Sequence, residues 1–410
     1  MNDQLRAQFP SLQVQPNGQR LAFLDSAASA LKPQAVIDSL TATLAGPYAN
    51  IHRGLYFNSA TTTAAYEAAR TRVGQLFGLS AAASAQQLIF TRNTTEAINL
   101  VAQSFARPRL QPGGAMVVSE LEHHANLVPW QLVAAATGAE IRVIPLAADR
   151  QSLDLSNLEA LLQGATLVAI SQLSNVLGVR PPLAEIVPLA KRHGVAVLVD
   201  GSQAAVHGPV NLPKLAELGV DFWCMTGHKL YGPTGVGVLW GRPDLLAAMP
   251  PYQGGGDMIE TVRLPTGTTF AAPPARFEAG TPAIAEAIAL GAAAAWVQGL
   301  GWEAIQGHEH TMATQLSRTL ADLPFVEMYS PANTGIAAFN VRGAHPGDVA
   351  TLLDQQGVAV RSGHHCAMPL MAALGLPQGC LRASVGIYTT TADLIQLQTA
   401  LQKAHRLLVG

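Results

Sequence analysis

Seven short apolar runs, separated by segments of helical periodicity, constrain the fold more than any other feature of the sequence. They are LIF (88–90), MVV (116–118), IRVI (141–144), TLVAI (166–170), VAVLV (195–199), DFWCM (221–225) and VGVLW (236–240). Strand-length runs alternating with helices predict an α/β domain with a mostly parallel central sheet covered by helices. The unbroken run 195–199 suits a central strand buried on both faces. Helices are expected at 94–105, 126–137 and 183–193, the last ending in Lys191, Arg192, His193 and Gly194, a basic final turn before a glycine stop.

Beyond Gly280 the texture changes. Helices near 284–299 and 302–320 lead into strands near 326–329, 336–341, 358–361 and 381–385, with helices at 346–356 and 392–408. This pattern predicts a large α/β domain over 25–283 and a smaller α+β C-terminal domain over 284–410, with residues 1–24 packing beside the small domain. Segments 80–87 and 265–275 read as exposed loops, and no solenoid repeat or low-complexity linker is visible.

Composition narrows the function classes. Of 410 residues, 49% are hydrophobic and 13% charged, about half the roughly 25% charged share of an average domain, so a large core is expected and disorder is not. A formal charge of -2 offers no field for a nucleic-acid backbone. The longest apolar stretch, 287–302, is interrupted by Gly291, Gln298, Gly299 and Gly301 and falls short of the roughly 20 residues of a membrane span. It reads as a buried helix. Residues 1–13 carry Asp3 and Arg6 and lack a signal-peptide core, so a cytoplasmic setting is expected. There Cys224, Cys366 and Cys380 would remain thiols.

The chemistry lies at strand ends. The run VAVLVDGSQ carries a buried strand straight into Asp200, where parallel sheets form their ligand crevice. Taken alone, Asp200 would read as a turn cap. Only five lysines occur, at 32, 191, 214, 229 and 403. Lys229 stands out in TGHKLYGPTG, between two core strands and beside Thr226 and His228. A lysine desolvated in a crevice has a lowered pKa and forms a Schiff base with an aldehyde. Gly235 and Gly237 lack the third glycine of a dinucleotide fingerprint. Where one strand ends and a helix begins, Arg92, Asn93, Thr94, Thr95 and Glu96 suit a phosphate, though alone they would read as an ordinary helix cap. Together these parts suit pyridoxal 5′-phosphate, with His123 of SELEHHANLVPW placed to lie against its ring.

DSAAS (25–29), HRG (52–54), TTEAINLVA (94–102), EHHANLVPW (122–130), SNVLG (174–178), VDGSQ (199–203), GHKLYGPTG (227–235), FEAGTP (277–282) and RSGHHCAMPL (361–370) occur in this order over nearly the whole chain. Together they resemble the cysteine desulfurases of the class V aminotransferase family, which are fold type I pyridoxal-phosphate enzymes. The loop around Cys366 is similar to the SUF and CSD branch, which supplies sulfur for iron–sulfur cluster assembly.

The resemblance implies roles. Lys229 is the Schiff-base lysine, Asp200 the partner of the ring nitrogen, His123 the stacking imidazole and Gln203 the partner of the ring oxygen. Thr94, Thr95, Thr226 and His228 bind the phosphate, and Thr281 reaches the phosphate of the neighbouring subunit of a homodimer. Asn175, Arg382 and Arg361 hold the substrate carboxylate, and Cys366 takes sulfur from L-cysteine as a persulfide. A small SufE-type protein would accept that sulfur. Ser202, Thr226 and Asn93 stand where the family commonly has alanine, serine and glycine, and asparagine at 93 tolerates glycine-like backbone angles less freely. Rival readings are a selenocysteine lyase, another class V lyase or aminotransferase and, from a different class, a metal-binding protein using His364, His365 and Cys366. The roles of His364 and His365 stay open at this level.

Overall fold

The computed structural model describes residues 3–410. All seven apolar runs form strands of one sheet: β1 (Leu88–Thr91), β2 (Ala115–Ser119), β3 (Glu140–Ile144), β4 (Ala165–Ser171), β5 (Ala196–Asp200), β6 (Phe222–Thr226) and β7 (Gly237–Gly241). Their order is β1-β7-β6-β5-β4-β2-β3. Strands β2 to β6 are parallel, whereas β7 runs antiparallel to both β6 and β1. A parallel return needs a crossover of a dozen or more residues. The β6–β7 link, 227–236, is too short for one, so the chain turns back and leaves Lys229 at the carboxyl end of β6.

Side chains alternate between two cores, as a pleated strand requires. On β5, Val197 and Val199 join one core, while Ala196 and Leu198 join the other. The helices of this unit include α1 (Gln34–Ala45), α2 (Phe57–Leu76), α3 (Ala81–Gln87), α4 (Thr94–Val101), α5 (Val128–Thr137) and α6 (Leu183–Arg192). Helix α3 occupies the segment expected to be a loop. Ser80 caps it by accepting the amide of Ala83 at 3.1 Å, and alanine propensity with a good cap outweighs the missing apolar stripe. The helix expected over 94–105 ends its α-helical part at Val101 and continues as a wider π-helical turn over 102–106. Segment 265–275 is largely exposed, with Thr269–Phe270 pairing Ile259–Thr261.

Helices α7 (Ile284–Leu300) and α8 (Trp302–Ala321) meet at an 81° bend. Helix α7 packs on α1 and α2, and Gly291 allows the approach, since a Cβ there would lie 2.6 Å from that of Ala69. Its Ile284, Leu290 and Val297 belong to the core of the large unit, whereas Met312, Leu316 and Leu320 of α8 belong to the small one. Ile305 of α8 still packs in the first core, so the passage from one core to the other falls within this helix pair, whose first, alanine-rich member carries little that assigns it to either. Among the described residues, no single helix is long and apolar enough to cross a membrane.

The small unit is a sheet of β8 (Val326–Met328), β9 (Ile336–Val341), β10 (Arg361–Gly363) and β11 (Cys380–Ser384), in the order β8-β9-β11-β10 and antiparallel throughout. With α8, helices α9 (Pro346–Asp354) and α11 (Thr391–Leu408) share its apolar core, and α10 (Met368–Ala373) follows the Cys366 loop. The strand expected over 358–361 divides. Val358–Ala359 pairs in parallel with Ala22–Phe23, and the chain then turns at Val360 to join β11 as β10. The N-terminal segment touches both units. Arg6 pairs with Asp393 of the small unit at 3.0 Å, while Phe9 packs edge-on against Tyr388 and Trp296.

Candidate active site

Ser171, Asp200 and Thr226 are the last residues of three neighbouring parallel strands, and Ser171 lies directly beside Asp200 in register. They border a cavity of about 210 Å³ at the carboxyl edge of the sheet. Strand order alone brings these polar groups together. Each ends an apolar run, so the sheet buries the strand and releases its last side chain into the crevice.

Lys229 lines this cavity, and burial lowers its pKa to about 8, with Arg382 and Arg361 adding to the effect and Asp200 and Cys366 opposing it. The preceding residue is tied down. The His228 carbonyl accepts from the Lys32 ammonium at 2.8 Å, the Ala30 amide at 3.1 Å and the Ser29 hydroxyl at 3.3 Å. Lys32 is therefore part of the support, and burial lowers its own pKa to about 8. The His228 imidazole is held neutral, its pKa pushed down to about 4 by burial and then by Lys229 and Lys32.

Asp200 accepts both the amide and the hydroxyl of Ser202 on Oδ1, at 2.9 and 2.6 Å. The same hydroxyl meets Thr94 Oγ1 at 2.7 Å, so Ser202 links the carboxylate to the start of α4. Sequence reasoning gave Ser202 no task; its place two residues after a strand-end aspartate was the available signal. Thr94 and Thr95 line the cavity, and the buried Thr226 Oγ1 has no hydrogen-bond partner among the described residues. Gln203 also lines it, with its amide nitrogen donating to the Ala27 carbonyl at 2.7 Å. Asn93 is extended, with φ −176° and ψ 176°, and its side chain caps α4 through the Glu96 amide. No glycine-like angle is needed there.

His123 sits on the loop after β2. Its Nδ1 accepts the Ala125 amide at 3.0 Å, which leaves the ring proton on Nε2. Burial, followed by the charge of Lys229, depresses its pKa to about 3, so the ring is neutral. Next to it the fully buried Glu122 accepts four hydrogen bonds that join the ends of β2 and β4.

The small unit supplies the opposite wall. Arg361 and Arg382 are paired neighbours on β10 and β11, and both line the cavity. Arg382 donates to the Asn175 carbonyl at 2.8 Å and to Asp25 at 2.9 Å, while its buried Nε has no hydrogen-bond partner among the described residues. Cys366 also reaches the cavity. Cys224 and Cys380 are buried thiols, burial pushing Cys224 well up and Cys380 up to about 12. His365 and Cys366 both adopt left-handed backbone, φ 51° and 56°, a conformation that costs a non-glycine residue about 1–2 kcal/mol. The His365 ring Nε2 bonds the Cys380 carbonyl at 3.0 Å and the His364 ring Nε2 the Pro377 carbonyl at 3.0 Å. Among the described residues, no group of three or more His, Cys, Asp or Glu side chains is arranged to hold a metal ion. Thr281 lies elsewhere, on a second cavity of about 690 Å³ that shares Asn93 with the first.

The residues fit pyridoxal phosphate. A lysine with a lowered pKa, a strand-end carboxylate, a helix start and an unpartnered buried hydroxyl surround one cavity. On a mostly parallel sheet with a separate C-terminal sheet domain, these parts define a pyridoxal-phosphate enzyme of fold type I. The family model "Aminotransferase class-V" matches residues 22–397. A cysteine desulfurase of Dickeya dadantii is 50% identical over 99% of this chain and 97% of its own. The crystal structure of the cysteine desulfurase CsdA from Escherichia coli superposes with a TM-score of 0.90 at 42% identity, over the full length of both chains. A cysteine desulfurase from Thermococcus onnurineus NA1 gives 0.91 at 34%, covering 100% of this chain and 99% of that one. The chain belongs to the class V aminotransferase family, within its cysteine desulfurases.

Proposed function

We propose that this enzyme converts L-cysteine to L-alanine and takes the sulfur onto Cys366 as a persulfide. The observation that carries the reading is that Lys229, Asp200 and Cys366 line one cavity, with Cys366 entering from the small unit. Thr94, Thr95, Thr226 and His228 would hold the phosphate of the cofactor, Asp200 its ring nitrogen, Gln203 its ring oxygen, His123 its face and Lys229 its aldehyde carbon. When bound, the cofactor supplies an electron sink that loosens bonds to the substrate α- and β-carbons.

The protein's own residues do the rest. Arg382 and Arg361, with Asn175, would orient the substrate carboxylate, for which a planar guanidinium is well shaped. Lys229, with its pKa near 8, can accept the α-proton near neutral pH. The Cys366 thiolate attacks the substrate sulfur. An S–S bond forms as the substrate C–S bond breaks, the electron pair stays with the carbon skeleton, and protonation releases alanine.

Domain roles follow this division. The sheet of the large unit holds the cofactor, and the small unit brings the sulfur acceptor. A homodimer is part of the reading. Leu55, Phe57 and Leu264 are exposed apolar side chains, and Thr281, set apart from the main cavity, would reach a neighbouring subunit's phosphate. A cytoplasmic location and sulfur delivery to a SufE-type acceptor for iron–sulfur cluster assembly complete the proposal. Purified protein should be yellow and should release alanine and, with a reductant, sulfide from L-cysteine. A colourless, inactive preparation that pyridoxal phosphate cannot restore would overturn it. Faster turnover of L-selenocysteine in Cys366→Ala than of L-cysteine in the parent would favour a selenocysteine lyase.

A further inference from the structure

Of the paired histidines, His123 lines the cavity and His124 does not. His124 instead makes two hydrogen bonds to the segment that carries Cys366. Its backbone amide donates to the Cys366 carbonyl at 2.7 Å, and its ring Nε2 accepts the Met368 amide at 3.0 Å. Both bonds join a loop of the large unit to the small one. A third comes from Asn175, whose side-chain amide donates to the His365 carbonyl at 2.9 Å. The large unit therefore holds the backbone at 365, 366 and 368, around the two left-handed residues that present the thiol. Among the described residues no hydrogen bond holds the Cys366 sulfur itself, so these backbone bonds are the ones that fix its place.

We propose that His124 is a positioning residue that latches the Cys366 loop to the large unit and keeps the thiol at the cavity. This deepens the desulfurase reading and rests on it. A ring that accepts through Nε2 carries its proton on Nδ1, and a second proton would occupy Nε2 and abolish the bond. The facing titratable groups are His123 on its own loop, 6.3 Å away between ring centres, and His364 on the Cys366 loop. Among the described residues no carboxylate contributes to favour the charged ring, and burial, followed by His364, holds its pKa below the ordinary 6.5. The latch is thus complete above pH 6.5 and is lost as pH falls through the lowered value.

The test uses the holoenzyme and two variants. His124→Leu removes the acceptor. His124→Gln offers a side-chain oxygen that accepts without titrating. In His124→Leu, deuterium exchange at the Met368 amide should rise about tenfold and kcat for alanine should fall about tenfold, as expected for the loss of one hydrogen bond, with KM for L-cysteine within about twofold. His124→Gln should recover both, and its kcat should fall less steeply on acidification than the parent's, the fall caused by protonation of Lys229 being common to the two. Unchanged exchange at Met368 in His124→Leu, or equal loss in the two variants, would overturn the latch. If the parent enzyme makes no alanine, the desulfurase reading fails, while the exchange result still judges the latch.

Discussion

Glu122→Gln isolates the energetics of a carboxyl group placed wholly inside the protein, next to His123. In the parent, Oε1 accepts the Ser119 hydroxyl at 2.6 Å and the Ser171 amide at 3.0 Å, and Oε2 accepts the Asn126 amide at 2.7 Å and the Ser171 hydroxyl at 2.5 Å. Burial still outweighs these donors and raises the pKa from the ordinary 4.5 to about 7. At about 1.4 kcal/mol for each tenfold change in proton affinity, that gap amounts to about 3 kcal/mol. The folded state holds a proton that the unfolded chain has released between pH 4.5 and 7, so the parent loses stability as pH rises through this window and levels off above it. The variant cannot titrate. It bears a constant penalty of about 1–3 kcal/mol where its amide meets the Asn126 donor. Urea unfolding of both proteins from pH 5 to 8, with saturating cofactor, should show the variant gaining about 2–3 kcal/mol relative to the parent. Parallel stability curves would refute the reasoning, because the offset between them depends on packing but its slope with pH depends only on the carboxyl.

Three further outcomes are expected. Cys366→Ser should lower alanine production from cysteine by at least about 100-fold while the visible spectrum of the cofactor persists; persulfide formed by that variant would exclude Cys366 as the acceptor. Loading of apoprotein with pyridoxal phosphate should quicken about tenfold per pH unit up to about 8, where Lys229 loses its proton, and then level off; a flat profile from pH 6 to 9, followed by absorbance, would assign the aldehyde to another group. Glu278→Ala should destabilise the fold by about 3–5 kcal/mol. It removes the buried one of two carboxylates on Arg70, which is only 1% exposed, donates to Glu278 at 2.6 and 3.0 Å and keeps Glu67 at 2.9 Å and the Leu88 carbonyl at 2.8 Å; a loss under about 1 kcal/mol in urea unfolding would show that Glu67 and Leu88 suffice to hold the charge.

The central sheet was legible in the sequence because its strands follow apolar runs and β1, β2, β4, β5 and β6 close on a polar residue, so the pattern that marks the strands also marks the crevice. Asp200 and Lys229 could be found that way. The antiparallel course of β7 needed one more step, the length of the 227–236 link. Less visible were features without a local signature. Ser202 is an ordinary small polar residue until Thr94 arrives from over a hundred positions away. Helix α7 is alanine-rich, and its choice of core depends on which partner presents a matching groove. Arg382, Arg361, Cys366 and Asn175 were named through motif resemblance, since nothing in residue spacing brings positions 175 and 382 together.

The seven strands of the central sheet all lie within 88–241, so its pairings are comparatively local, whereas the bond from Arg382 to Asn175 spans 207 positions. Local pairings close first, and a chain leaving the ribosome completes its N-terminal units before its last ones. Amide protection during refolding should therefore appear within β2–β7 and within β9 and β11 before it reaches the Met368 amide, which bonds His124 across the two units, and simultaneous protection would contradict this order. With the roles proposed above, the wall that would take the aldehyde would then exist before the thiol is in place. An enzyme that acquired its chromophore at that stage would have no means of removing sulfur from an amino acid.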